Sequence, residues 1–180
     1  METVARAFFT HVDTPIGEMI AAATETHLVM FEFEYRKMYQ EQLDLVRRAV
    51  NCELELGESP VFNRLRVQLA EYFRGDRREF DLPLHVPGTD FQTRVWAELR
   101  RIPFGTTTSY ARVAEAIGQP SAVRAVAGAN GDNRVAIIIP CHRVIGSDGQ
   151  LVGYGGGLWR KRKLLELEAR GDPLPLFTDV

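Results

Sequence analysis

Three consecutive side chains late in the sequence, Cys141, His142 and Arg143, put a nucleophile, a base and a cation side by side. A thiol reacts as its thiolate, and a nearby base or positive charge raises the thiolate fraction. The apolar, β-branched run 136–139 ends at Pro140. A strand stopped by proline hands its next residue to a surface or cleft, so a strand is predicted over 136–139 with a reactive Cys141 just beyond it. A lone cysteine is often an inert buried apolar residue. That reading fits Cys52, in a polar stretch without a basic neighbour, better than Cys141. Neighbours on a strand face opposite ways, so His142 reaches the Cys141 thiol only if the chain turns there or a water lies between them. A histidine in this role needs an acid to orient it. Glu166 and Glu168, on the next helical segment, are the candidates.

That segment spans 158–169 and carries Arg160, Lys161, Arg162 and Lys163, a run better read as a solvated helix face than as a phosphate site. Before it lies the glycine-dense stretch 146–157, with Tyr154 placed to stack on a flat ligand. Glycines let backbone N–H groups approach a ligand closely, but no G-x-x-x-x-G-K-[ST] pattern is present, so a nucleotide P-loop has no support. Upstream, Ser109 is predicted to cap a helix over 110–117, Gly118-Gln119-Pro120 breaks it, and Ser121 is predicted to cap a second helix over 122–129. Helix, short glycine-containing turn, helix is the helix-turn-helix pattern, which also fits two helices packed in a core. The second helix is slim, with Arg124 its only charge, and a slim helix enters a DNA groove closely.

The rest of the chain reads as scaffold for this region. Asp90 is predicted to cap a helix carrying Phe91, Val95, Trp96 and Leu99. Residues 82–90, with two prolines and a glycine, read as a linker. In the first half, 5–12 and 19–24 form an expected hairpin around Thr14-Pro15-Ile16-Gly17, and 27–35 alternates like a half-buried strand. Helices are expected over 41–50 and, capped by Ser59, over 60–74. The class is α/β (α+β): a small N-terminal α/β domain over 1–87, a mostly helical C-terminal domain over 88–172, and a tail over 173–180.

The 180 residues are 45% hydrophobic and 26% charged, ordinary for a globular protein. Two distant cysteines argue against a disulfide framework and point to reduced, intracellular thiols. No signal peptide or run of about 20 apolar residues is visible, so a cytoplasmic location is expected. His11, His27, His85 and His142 lack ligand spacing, so neither metal nor cofactor is expected. The net charge of −2 hides an asymmetry: residues 1–87 hold 10 Lys+Arg against 15 Asp+Glu, and residues 88–180 hold 12 against 9. The second half thus carries +3, which permits contact with phosphates.

At Pro140-Cys141-His142-Arg143-Val144 the sequence resembles the O6-alkylguanine-DNA alkyltransferases, whose active-site signature is P-C-H-R-V. The likeness extends over residues 91–169 and includes Pro103-Phe104-Gly105, Ser109-Tyr110, Arg124-Ala125-Val126, Asn133 and the loop at Tyr154. The first half is only loosely similar; in that family it is a ribonuclease-H-like domain. The resemblance implies direct-reversal repair of double-stranded DNA, by a monomer bound through the minor groove. An alkyl group passes once and irreversibly from O6 of guanine to Cys141. His142 would take the thiol proton through a water, Glu168 would orient His142, and Asn133 would brace the turn around Cys141 and Val144. Tyr110 would crowd the target phosphate and donate to guanine N3. Arg124 would fill the gap left by the extruded base, with Ser121, Ala125, Ala129 and Arg143 also at the DNA. The carbonyls of Cys141 and Val144 would accept from the guanine amino group, with Tyr154, Gly155 and Gly156 lining the pocket. In a prokaryote the location would be at the nucleoid, in a eukaryote the nucleus. Alkyl size, activity on O4-alkylthymine and cooperative clustering on DNA stay open.

Three features depart from the family pattern. Arg134 stands where proline is common, which is expected to loosen the turn at Asn133. Gly155 stands where several members carry serine, which is expected to widen the pocket. The N-terminal zinc-binding cysteines of some members are missing. Two other functions are compatible with parts of the pattern. A non-transferring sensor of alkylated guanine would lack the cysteine, and a cysteine hydrolase would need an oxyanion hole.

Overall fold

The computed structural model describes residues 6–34 and 39–171, which divide into two compact units, one running to Pro87 and the other from Gly88. In the first, strands β1 (Ala7–Val12), β2 (Met19–Thr24), β3 (Leu28–Phe33) and β4 (Leu54–Leu56) form one sheet in the order β3-β2-β1-β4. The hairpin β1–β2 pairs Ala7 with Thr24 and Val12 with Met19, and its turn closes through Gly17 N–H to the Thr14 carbonyl. β4 runs parallel to β1.

Helix α1 (Tyr39–Val50) places Leu43 and Val46 against Ala7, Ile20, Ala22, Met30 and Leu54. Helix α2 (Pro60–Phe73), capped by the Ser59 hydroxyl as expected, contacts β2. Alternate residues of a strand face opposite ways, and every residue from Met19 to Ala23 is buried, so the two helices cover both faces of the sheet. This corrects the expectation for β3. It is buried along its whole length, Glu32 included, and not half-exposed. The linker is also shorter than 82–90. Leu28 N–H donates to the Pro83 carbonyl and His85 N–H to the Leu28 carbonyl, so residues 83–85 extend the edge of the sheet. Cys52 packs partly buried beside the α1 core, and burial raises its thiol pKa, as befits an unreactive residue.

The second unit holds α3 (Asp90–Leu99), β5 (Thr108–Ser109), α4 (Tyr110–Ala116), α5 (Val123–Gly131), a 3-10 turn (Cys141–Arg143), β6 (Val144–Ile145) and α6 (Leu158–Arg170). The cap of α3 is Thr89, not Asp90. Thr89 and Gln92 exchange side-chain-to-backbone bonds in a capping box, and Asp90 becomes the first helical residue, where its charge suits the helix dipole. Ser109 caps α4 as expected, whereas α5 begins at Val123 with Ala122 as its cap and no side-chain cap bond. Helices α3, α4 and α5 pack on one another. The Trp96 indole donates to the Ala129 carbonyl at 2.8 Å and locks α3 to α5. The short pair β5–β6 matches Thr108 with Val144 and Ser109 with Ile145, which brings the start of α4 beside the end of the Cys141 turn. Residues 173–180 lie outside the described residues.

Candidate active site

The expected strand over 136–139 does not form. Asn133, 1% exposed, folds the segment into a tight loop: its Oδ1 accepts from Val135 N–H at 3.0 Å and its Nδ2 donates to the Ile139 carbonyl at 2.8 Å. Backbone bonds Ile138 N–Ala136 O and Ile139 N–Val135 O close it further. Ile137 adopts a left-handed φ of 71°, a conformation costing a β-branched residue about 1–2 kcal/mol. The apolar character of the run is spent on burial, since Val135 through Ile139 are all buried. Pro140 leads straight into the 3-10 turn, so Cys141 and His142 lie on a bend and not on opposite faces of a strand. Asn133 Nδ2 lies 3.1 Å from Cys141 Sγ, so the carboxamide that shapes the loop also touches the thiol. The Cys141 carbonyl already accepts from Val144 N–H, leaving it one lone pair for a ligand.

His142 is fully buried, and its Nε2 is 2.7 Å from Glu168 Oε1. Arg143 clamps the same carboxylate, Nε to Oε2 at 2.8 Å and Nη2 to Oε1 at 3.0 Å, and donates from Nη1 to the Ile102 carbonyl. Glu168 Oε2 also accepts from Gly105 N–H. Burial alone would raise the Glu168 pKa. Its bonds to His142 and Arg143 outweigh that and hold the carboxyl well below the usual range. Burial pushes His142 down, against the upward pull of Glu168, with Arg143 adding to the lowering. An ionised carboxylate only accepts hydrogen bonds. A neutral imidazole beside it therefore carries its proton on Nε2, and Nδ1, with no hydrogen-bond partner among the described residues, keeps a free lone pair. Of the two candidate acids, Glu168 is thus the partner of His142, while Glu166 is paired with Lys163 at 3.5 Å. Arg143, expected at the DNA, is instead an internal counter-ion, 6% exposed.

Tyr110 opens α4, and its hydroxyl donates to the Val152 carbonyl in the glycine-dense segment at 2.9 Å. Burial raises its pKa, and negative charge at Cys141 raises it further. Tyr154 and Gly157 bracket a turn closed by Gly157 N–H to the Tyr154 carbonyl; Gly155 is exposed and Gly156 buried. Lys161 breaks from the solvated face expected of its cluster. It is 0% exposed and donates to the carbonyls of Val152 and Gly153.

The exposed stripe of α5 and its approach comprises Ser121, Arg124, Ala125, Gly128 and Gly131. Ala129 is not on it: it is 4% exposed, with its carbonyl held by Trp96. Gly128 and Gly131 were missed as surface residues, although they follow Arg124 at helical spacing of four and seven.

Residues 90–170 match the family profile described as 6-O-methylguanine DNA methyltransferase, DNA binding domain, and residues 7–86 match that of its ribonuclease-like domain. A methylated-DNA–protein-cysteine methyltransferase of Mycobacterium leprae is 45% identical over 160 residues, covering 87% of this chain and 89% of the relative. This chain belongs to the 6-O-methylguanine DNA methyltransferase family. The Mycobacterium bovis methyltransferase is 58% identical over 109 residues, 61% of this chain and 66% of that protein. The crystal structure of Mycobacterium tuberculosis OGT in complex with DNA superposes with a TM-score of 0.80 at 42% identity, covering 92% of this chain and 95% of that one.

Against the family pattern, Arg134 does not open the loop. It is buried at 8% exposure, with its guanidinium 5.9 Å from the Trp96 ring centroid, and the Asn133 bonds remain intact. The sequence gives no spacing signal for the one metal-ligand-like group among the described residues. His11 in β1, Glu18 just before β2 and Glu34 just after β3 gather within 4.8 Å, where His11 Nδ1 pairs with Glu18. Among the described residues no helix is long and apolar enough to cross a membrane.

Proposed function

We propose that this chain repairs DNA by moving an alkyl group from O6 of guanine to Cys141, once per molecule, after rotating the nucleotide out of the duplex. The observation that carries the reading is the chain Cys141, His142, Glu168, Arg143. It ends in a buried carboxylate whose charge is matched by a guanidinium, which leaves His142 neutral and able to take a proton. The relatives are named for the same chemistry, and the OGT structure contains DNA.

The Cys141 proton passes to His142 Nδ1 through a water, and Glu168 stabilises the imidazolium. The thiolate attacks the alkyl carbon, the S–C bond forms, and the C–O6 bond breaks with its electron pair leaving to guanine. Tyr110 exchanges its bond to Val152 for one to guanine N3, where that negative charge spreads. Asn133 holds Sγ in place, and the Val144 carbonyl, the remaining lone pair of Cys141 and the loop at Tyr154, Gly155 and Gly156 orient the base. The displacement needs neither metal nor redox cofactor. Its product is a thioether, which water does not cleave, so the protein is consumed.

A base in a duplex hides O6, and flipping it costs a few kcal/mol, least for a weakly paired damaged base. Arg124 fills the gap from the exposed stripe, where Ser121, Ala125, Gly128 and Gly131 let the α5 backbone approach the minor groove. The test is intact-mass spectrometry after incubation with a duplex carrying one O6-methylguanine, followed by peptide mapping. One methyl on Cys141, stoichiometric with DNA and without further turnover, is expected. Tight binding without a mass change would overturn transfer in favour of damage sensing.

A further inference from the structure

We propose that Lys161 is a positioning residue for this transfer: its buried ammonium ties down the glycine-dense loop, shares the Val152 carbonyl with the Tyr110 hydroxyl, and supplies the positive charge against which the Cys141 thiolate forms. The proposal rests on the reading of Cys141 as the alkyl acceptor.

A lysine with no exposed surface is rare unless it is paired. Among the described residues no ion pair includes Lys161; its two bonds, at 2.9 and 3.1 Å, go to backbone carbonyls. Glu168, on the same helix, is taken by His142 and Arg143, and Glu166 by Lys163. The ammonium lies 6.0 Å from the Tyr110 ring centroid. The groups packed on it are Tyr110 from α4 and the loop carbonyls, and the titrating groups coupled to it by charge are Cys141 and His142 of the 3-10 turn. Of these, only Cys141 becomes an anion during the proposed reaction. Burial lowers the Lys161 pKa to about 8, charge at Cys141 opposes that lowering, and Lys161 in turn lowers His142. The same cation thus favours a thiolate at Cys141 and a neutral base at His142. The sharing of the Val152 carbonyl gives a second effect. When the Tyr110 hydroxyl leaves for a substrate, Lys161 keeps that carbonyl bonded and the loop in place.

The experiment measures Cys141 alkylation by iodoacetamide against pH, which needs a thiolate but no DNA, in a Cys52→Ser background. For Lys161→Met the midpoint is expected to move to higher pH, and the rate at pH 7 to fall about tenfold, the size of one charge interaction at intermediate dielectric. A merely structural role would lower the amplitude without moving the midpoint, and a superimposable profile overturns the proposal. Should Lys161→Met fail to fold, the native side chain decides the matter. Coupling between two titrating groups is reciprocal, so capping Cys141 with methyl methanethiosulfonate should lower the Lys161 midpoint read from its 13Cε resonance. An unchanged midpoint overturns the proposal. Failure of methyl transfer from DNA with both shifts present would overturn the assigned reaction and not this role of Lys161.

Discussion

Replacing Arg143 by methionine tests the charge arrangement behind His142. The guanidinium makes two bonds to Glu168 and one to the Ile102 carbonyl, and the Glu168 side chain is 1% exposed. Methionine fills most of the volume but strands a buried carboxylate. Removing one partner of a buried ion pair costs about 3–5 kcal/mol, because the remaining charge keeps its desolvation cost. Removing both is far milder, so Arg143→Met/Glu168→Gln should recover most of that loss, with a coupling energy above about 1.5 kcal/mol. Both tryptophans, buried Trp96 and exposed Trp159, lie in the C-terminal unit, so urea unfolding followed by fluorescence reads this part of the molecule. The single variant should also change the chemistry. Arg143 lowers the His142 pKa, so without it His142 binds its proton more firmly, and methyl transfer should fall at pH 7 and recover at higher pH. A loss below about 1 kcal/mol with an unchanged denaturant slope, or a pH profile identical to the parent, would refute the reasoning.

Cys141→Ala should abolish transfer and retain binding to alkylated duplex; residual methylation by mass spectrometry would mean another acceptor. Arg124→Ala should slow repair of duplex DNA while largely sparing reaction with free O6-benzylguanine, since no stack is refilled there, and equal loss on both substrates would remove the finger role. Asn133→Ala strands the Val135 N–H in a buried loop and leaves the Ile139 carbonyl with the Cys141 N–H as its partner. Leaving buried groups unsatisfied costs about 1–3 kcal/mol each, which thermal unfolding would read as a lowered midpoint. The acid side has a definite sign. Folded-state pKa values of His142 and Glu168 both lie below their unfolded values, so their contributions are present at neutral pH. They are lost as pH falls, beginning near about 6.5 for the imidazole and about 4.3 for the carboxyl. Glu168→Gln should flatten the lower part of that curve in a pH series of urea midpoints.

The helices and the hairpin were legible because their signals are local: Ser59 and Ser109 sit where caps belong, and Thr14 to Gly17 hold a turn. Cys141 and His142 were legible from adjacency, whereas helical placement left their acid as Glu166 or Glu168, and the family resemblance pointed to Glu168. The strand over 136–139 failed for a nonlocal reason. Apolar residues look alike whether they line a sheet or fill a core, and here the Asn133 carboxamide replaces the neighbouring strand as hydrogen-bond partner. Arg143 and Lys161 failed in the same way. A cation in a sequence reads as surface, and only the fold shows that a carboxylate or a pair of carbonyls waits inside for it. Ala129 was misplaced by one position on a helix whose exposed face runs through Gly128 and Gly131.

The two buried cations divide the electrostatic work. Arg143 is matched by Glu168 before any substrate arrives, so that pair is neutral as a unit and His142 stays unprotonated. Lys161 is matched by backbone dipoles, with no ion pair among the described residues, so its positive charge is left without a counter-ion there. In the proposed transfer, moving the Cys141 proton to His142 would create a thiolate against Lys161 and an imidazolium against Glu168, and each new charge would appear beside a group already oriented for it. Preorganised charge of this kind is worth most in a water-poor site, because nothing has to reorganise when the reaction occurs. After alkylation the sulfur is uncharged, as in the free thiol, and Lys161 is again matched by the Val152 and Gly153 carbonyls alone. The alkylated protein should therefore hold those carbonyls as firmly as the free thiol form does. Hydrogen exchange across residues 146–157, compared before and after methylation, measures this directly, and a loss of protection on methylation would mean that a charged sulfur had been holding the lysine in place.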